Sequence, residues 1–131
     1  MLSLAQAPES MVADIGLHVI ADLQDCDPKV LADEKFLMKA LDEALRDARF
    51  SILGQKSVKF PGEESGVTGI IILSESHAAF HSYPEYGYIA VDVFSCGEAS
   101  PEKVVDGFAR RLRAGAVNKR ILDRGKDVRR G

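Results

Sequence analysis

The sequence predicts an α+β fold of two layers, a sheet covered by helices. Two observations carry this prediction. Apolar residues recur at helical spacing over 34–48 and again from 101 to 112. Between these segments lie short runs rich in β-branched and aromatic residues, separated by polar turns that contain Gly or Pro.

Length and composition indicate one globular domain spanning residues 1–131. Hydrophobic residues make up 46% and charged residues 28%, which are ordinary values for a globular protein. The net charge of −3 argues against nucleic acid or an anionic membrane as a partner. No apolar run is long enough to span a membrane, and no signal peptide is evident, so we expect a cytoplasmic protein.

The two cysteines, Cys26 and Cys96, are expected to be free thiols in a reducing cytoplasm. No Cys/His cluster has the spacing of zinc ligands, so no metal site is predicted. No glycine-rich phosphate-binding motif is present either.

In the first part of the chain, residues 1–15 are expected to form a loose arm. The apolar and β-branched residues over 17–23 indicate a buried strand. Asp27 is an expected helix N-cap with Pro28 at the first helical position, and 34–48 is an amphipathic helix.

Four more strands are predicted between the two amphipathic helices. A strand over 50–60 is interrupted near Gly54, and the turn 61–66 leads to an apolar strand over 69–73, buried on both faces or near the sheet centre. Strands follow over 77–83 and 88–95. Ile89, Val91 and Val93 share the core face of the second of these.

The C-terminal part is predicted to contain one helix and one strand. Ser100 is the expected N-cap of the helix, with Pro101 in its first turn. A strand over 116–122 closes the sheet, and the charged tail 123–131 is expected to be mobile.

The stretch 73–96 holds most of the groups capable of chemistry. Its motifs are Glu75-Ser76-His77, His81, Pro84-Glu85-Tyr86-Gly87-Tyr88 and Ala90-Val91-Asp92-Val93-Phe94-Ser95-Cys96-Gly97. In the order and spacing of these motifs the sequence resembles the S-adenosylmethionine decarboxylase proenzymes of bacteria and archaea. The resemblance extends from about Gly16 to about Gly125.

The resemblance implies a pyruvoyl-dependent decarboxylase. A decarboxylase needs an electron sink that no side chain supplies, and this family makes one from its own backbone. The implied cut between Glu75 and Ser76 leaves a β chain of residues 1–75 and an α chain of residues 76–131. The pyruvoyl group derived from Ser76 would form a Schiff base with S-adenosylmethionine, and the product would be the aminopropyl donor for spermidine synthesis.

The resemblance also assigns roles in the reaction and an assembly. His81 matches the proton acceptor of self-cleavage, and an imidazole is a usable base at neutral pH. Cys96 matches the proton donor of catalysis, and a thiol is mostly protonated at that pH. Thr68 stands where the family has a Ser that assists processing. The implied fold is an antiparallel sheet with helices on one face, paired into a homodimer of processed protomers.

Three residues match substrate-binding positions. Glu85 corresponds to a carboxylate that accepts hydrogen bonds from ribose hydroxyls. Tyr83 replaces a family Trp and is expected to contact adenine or the sulfonium, and Phe60 is a second stacking aromatic.

Other readings remain open from the sequence. The changes at Tyr83 and in the loop after Phe60 leave arginine or ornithine as alternative substrates. An uncleaved, non-catalytic partner subunit is a third reading. His18 is expected to be a packed or edge histidine and Cys26 a structural thiol, and His77 is as consistent with a structural role as with a role in the site.

Overall fold

The computed structural model describes residues 12–130, so most of the expected N-terminal arm lies outside the described residues. In that part of the chain, no helix is both long and apolar enough to cross a membrane. The elements in chain order are β1 (Val12–Ala13), β2 (Gly16–Gln24), α1 (Pro28–Leu31), α2 (Glu34–Asp47), β3 (Ile52–Lys59), β4 (Val67–Leu73), β5 (Ser76–Tyr83), a 3₁₀ turn (Pro84–Tyr86), β6 (Tyr88–Ser95), α3 (Pro101–Leu112), β7 (Ala116–Arg124) and β8 (Val128–Arg129).

Six of the strands form one sheet in the order β3-β4-β5-β6-β2-β7. All neighbouring strands in it are antiparallel. The helices α2 and α3 pack on one face of this sheet. The predicted α+β class, with an antiparallel sheet and helices on one face, is therefore confirmed.

The core lies between the sheet and the two long helices, because alternate residues of each central strand point toward the helices. Ile89, Val91 and Val93 of β6 are buried there, as predicted. The rings of Phe80 on β5 and Phe108 on α3 meet with their centroids 5.8 Å apart. Burying each such side chain stabilises the fold by about 2 kcal/mol.

Side chains cap each of the three α-helices found within residues 12–130. Asp27 accepts a hydrogen bond from the backbone N–H of Lys29 at 2.9 Å, and Ser100 accepts one from that of Lys103 at 3.2 Å, so both predicted caps are confirmed. Asp33 caps α2 in the same way. Each cap contributes about 1 kcal/mol to helix stability.

Two predictions need correction. The strand over 69–73 lies inside the sheet, between β3 and β5, but it is not buried on both faces: Ile70 and Ile72 are 40% and 52% exposed, because helices cover only one face of the sheet. The tail was expected to be mobile, but β7 continues through Arg124 opposite Gly16 and β8 pairs with β1. The predicted interruption near Gly54 is confirmed as a register shift between β3 and β4.

Candidate active site

The Glu75–Ser76 peptide bond lies at the tip of the β4–β5 hairpin. Leu73 pairs with Ser76, so only Ser74 and Glu75 form the connection. Glu75 has φ 58°, in the left-handed region that costs a non-glycine residue about 1 kcal/mol. Glu75 is exposed and Ser76 is half-buried. The bond is therefore accessible and flanked by a strained residue.

Cys96 meets this hairpin from the end of β6. Its backbone N–H donates to Ser76 Oγ at 3.2 Å, and its Sγ lies 3.8 Å from the same oxygen. The thiol is also 3.7 Å from Oε2 of Glu75. The structure thus brings together Glu75, Ser76 and Cys96, three of the predicted site residues.

Two residues that the sequence analysis did not single out hold Cys96 in place. Ser95 is buried, and its Oγ donates to the carbonyl of Ala99 at 2.9 Å and accepts from the N–H of Gly97 at 3.3 Å. Gly16 lies against the same backbone, where a Cβ would stand 2.1 Å from the carbonyl oxygen of Ser95. Only glycine permits this approach of β2 to the backbone that carries Cys96.

A second group of predicted residues lies at the opposite end of β5. Thr68 and His81 are directly opposite each other on β4 and β5. Thr68 Oγ1 and His81 Nδ1 are 2.9 Å apart, so the hydroxyl and the imidazole are within hydrogen-bond distance. His81 also lines an open cavity of about 460 Å³, whose other walls include Ile20, Asp22, Asp92 and Arg120.

Two tyrosines near His81 form a stacked pair. The rings of Tyr83 and Tyr88 have centroids 5.6 Å apart and planes inclined by 22°. The Tyr88 hydroxyl donates to Asp22 Oδ1 at 2.5 Å. This hydrogen bond, helped by burial and by the charge of the carboxylate, raises the pKa of Tyr88 to about 12. Tyr88 therefore stays neutral and anchors the partly exposed Tyr83.

The other two predicted substrate-binding residues are exposed at the same end. Glu85 lies in the 3₁₀ turn after β5. Phe60 follows β3 and is 53% exposed. Neither side chain has a hydrogen-bonding or stacking partner within the described residues that would restrict its access to a ligand.

Within one chain, His81 is remote from Ser76. The two residues are five positions apart on one extended strand, which corresponds to about 16 Å. Their side chains also lie on opposite faces of the sheet. Ser76 is on the same face as the core residues Ala78 and Phe80, whereas His81 is on the face that no helix covers. A single chain therefore contains two separate groups of candidate site residues, which we call the Ser76 end and the His81 end.

Between the two ends, His18, His77 and Asp92 form the only group within residues 12–130 that has the spacing of metal ligands. Arg124 Nη1 lies 2.9 Å from Nδ1 of His18. A guanidinium only donates, so Nδ1 keeps its lone pair and Nε2 carries the proton toward Asp92. His18 therefore donates to Asp92 in this group, and it lies on an interior strand of the sheet rather than on an edge.

The two cysteines are unpaired. Burial, and to a smaller extent the charge of Asp25, raises the pKa of the Cys26 thiol. A buried thiol with a raised pKa is unreactive, which agrees with the structural role expected for Cys26.

The chain belongs to the S-adenosylmethionine decarboxylase family, whose sequence model matches residues 17–125. It is 39% identical over 113 residues to the S-adenosylmethionine decarboxylase proenzyme of Acidithiobacillus ferrooxidans, covering 86% of this chain and 84% of that one. The proenzyme of Pyrococcus furiosus is 37% identical over 112 residues, covering 85% and 79%. The similarity to these relatives therefore extends beyond the motifs to most of the chain.

A solved structure agrees with the sequence relatives. The adenosylmethionine decarboxylase of Aquifex aeolicus superposes with a TM-score of 0.81 at 25% identity. The match covers 90% of this chain and 97% of that one. The whole domain, and not only the motif region, is therefore shared with this family.

Proposed function

We propose that this chain is the precursor of a cytoplasmic, pyruvoyl-dependent decarboxylase of S-adenosylmethionine. The observation that carries the proposal is the convergence of Glu75, Ser76 and Cys96 at the β4–β5 hairpin. The product would supply aminopropyl groups for polyamine synthesis.

Self-cleavage would begin at Ser76. Its Oγ attacks the Glu75 carbonyl carbon, the C–N bond breaks, and the hydroxyl proton passes to the released amine, leaving an ester. Removal of the Ser76 α-proton then expels the Glu75 carboxylate and leaves a dehydroalanine. Addition of water releases ammonia and leaves the pyruvoyl group at the start of the α chain.

The residues around Ser76 fit this chemistry. The N–H of Cys96 points at Ser76 Oγ, where it stabilises negative charge on the attacking oxygen. The left-handed conformation of Glu75 is relieved when the chain is cut after it. Once formed, the pyruvoyl ketone supplies the electron sink for decarboxylation. Cys96, next to that position, would return a proton to the product.

Removal of the Ser76 α-proton requires a base. His81, held by Thr68, is the predicted base, and it lies at the other end of β5. A two-fold pairing of two chains would bring the His81 end of one chain to the Ser76 end of the other. We therefore propose a homodimer in which His81 of the partner subunit acts on Ser76.

The uncovered face of the sheet supports this pairing. Five apolar side chains from four strands are more than a third exposed on it, and an exposed apolar patch of this kind marks an interaction surface. They are Val58, Ile70, Ile72, Ile20 and Leu122. A second copy of the same sheet would cover them and complete two sites at once.

The substrate would bind at the His81 end. Tyr83, backed by Tyr88, presents an aromatic face for adenine or the sulfonium. Glu85 can accept hydrogen bonds from both ribose hydroxyls. Phe60 offers a second apolar surface on the neighbouring loop.

The first test is the intact mass of the purified protein under denaturing conditions. We expect two fragments separated between Glu75 and Ser76, with a pyruvoyl group blocking the second, and a single chain for Ser76→Ala. Release of CO₂ from S-adenosylmethionine, with arginine and ornithine as comparison substrates, then tests the substrate. A wild-type chain that stays uncut at neutral pH would contradict the proposal.

A further inference from the structure

A hydrogen-bonded cluster spans three strands directly beside the proposed cleavage position. Asp92 Oδ1 on β6 contacts His77 Nε2 on β5 at 2.6 Å and His18 Nε2 on β2 at 2.9 Å. We call His18, His77 and Asp92 the Asp92 clasp. Phe94 lies beside both imidazoles, with ring centroids 6.2 Å from His77 and 5.7 Å from His18.

The clasp joins its strands diagonally. His77 and His18 both lie opposite Phe94 in the sheet register, and each reaches the carboxylate two residues along β6. Arg124 sets the direction of the hydrogen bond from His18, because it leaves the only ring proton on Nε2. His18 is thus a fixed donor to Asp92, which keeps the carboxylate oriented toward His77.

His77 lies at the end of β5 that self-cleavage would turn into a chain end. Before cleavage, the turn 74–75 ties the start of β5 to β4 covalently. After cleavage between Glu75 and Ser76, β5 begins a new chain, and His77 is the first residue after the reactive group. Chain ends fray unless side-chain or backbone contacts hold them.

We propose that the Asp92 clasp holds the new end of β5 after self-cleavage and so keeps the reactive group beside Cys96. The inference rests on the proposed function. His77 acts here as a positioning residue through Asp92 and does not itself react. The clasp is dispensable while the hairpin is intact and becomes necessary once the hairpin is cut.

The test compares the clasp in cut and uncut protein. His77→Phe keeps a ring beside Phe94 but removes the donor to Asp92, whereas His77→Gln keeps a donor. Each is made in the wild type and in Ser76→Ala, which cannot cut itself. Intact mass establishes the state of each protein, and hydrogen exchange of the amides over 77–80 reports the opening of the strand.

In the cut protein we expect His77→Phe to speed this exchange about tenfold and to lower kcat about tenfold, with a small change in KM, because a hydrogen bond to a charged group is lost. His77→Gln restores both. In the Ser76→Ala background, His77→Phe changes exchange by less than about twofold. If His77→Phe does not fold, His77→Ala takes its place in the same comparison.

Two results would overturn the inference while leaving the proposed function intact. One is an equal increase of exchange in cut and uncut protein, which would make His77 a general structural residue. The other is no increase in either. A wild-type chain that never cuts itself would overturn both proposals, and intact mass shows this before exchange is measured.

Discussion

The two ends of β5 are built differently. At the Ser76 end, the reactive atoms are held by backbone: the N–H of Cys96, the hairpin turn and the close approach of Gly16. At the His81 end, the functional groups are exposed side chains with few partners, apart from the bond between Thr68 and His81. The proposed nucleophile is thus positioned within one chain, whereas the proposed base and binding groups face outward, where the proposed second chain would meet them.

The strongest test of this difference is complementation between two inactive variants. Ser76→Ala and His81→Ala should each lose at least about 10²-fold in activity alone, since each removes a reacting group. Co-expressed, they should recover about a quarter of wild-type activity, because half of randomly assembled dimers are mixed and each contains one intact site. The measurements are intact mass and CO₂ release from purified mixtures.

The structure offers a matched control for this experiment. Ser76 and Cys96 both lie at the Ser76 end of one chain, so co-expressing Ser76→Ala with Cys96→Ala should recover nothing. Recovery in the control, or none in the His81 mixture, would contradict the shared site.

At the Ser76 end alone, Cys96→Ala should separate cleavage from turnover. The backbone N–H that contacts Ser76 Oγ remains in this variant, so self-cleavage should continue. Loss of the thiol proton donor should lower kcat about 10²-fold. Intact mass and steady-state kinetics measure the two effects, and an equal loss in both would argue against a role confined to turnover.

At the His81 end, Thr68→Val removes the hydroxyl that contacts His81 and keeps the side-chain shape. We expect self-cleavage to slow about tenfold, because the imidazole loses the hydrogen bond that orients it. The decay of the precursor in denaturing mass spectra gives the rate. Thr68→Ser should cleave at close to the wild-type rate, and an unchanged rate in Thr68→Val would show that this contact is not used.

The smallest expected effect concerns the tyrosine pair. The pKa of Tyr88 is raised from 10.0 to about 12 by Asp22, so their hydrogen bond stabilises the folded state fully below pH 10. This contribution is lost as the pH rises from about 10 to about 12. The difference in unfolding free energy between wild type and Tyr88→Phe should shrink over that interval. Tyrosinate absorbance should show a group titrating near pH 12 that is missing in Asp22→Asn.

Local structure was predictable because local patterns specify it. The apolar spacing over 34–48 predicted α2, and Asp27 and Ser100 predicted their caps. Errors arose where distant segments decide the outcome. The tail after Asp123 looked free because its partners, β1 and the start of β2, lie more than a hundred residues earlier in the chain.

The candidate site was likewise predictable only in part. The motifs pointed to Ser76, His81 and Cys96, but not to Asp92, whose importance depends on which strands neighbour β6. Strand alternation places Asp92 on the face opposite Val91 and Val93, and this was the available signal. That His18 and His77 meet it from two sides follows only from the strand order.

The sequence by itself determined the fold class, the family and the candidate reactive residues, because short-range periodicity and motif spacing are contained in it. The tertiary structure decided how those residues are distributed. The pleat of β5 puts Ser76 and His81 on opposite faces, about 16 Å apart. Antiparallel pairing joins Ser76 to Cys96 and His81 to Thr68. Such long-range register depends on the packing of the whole sheet, which no local pattern encodes.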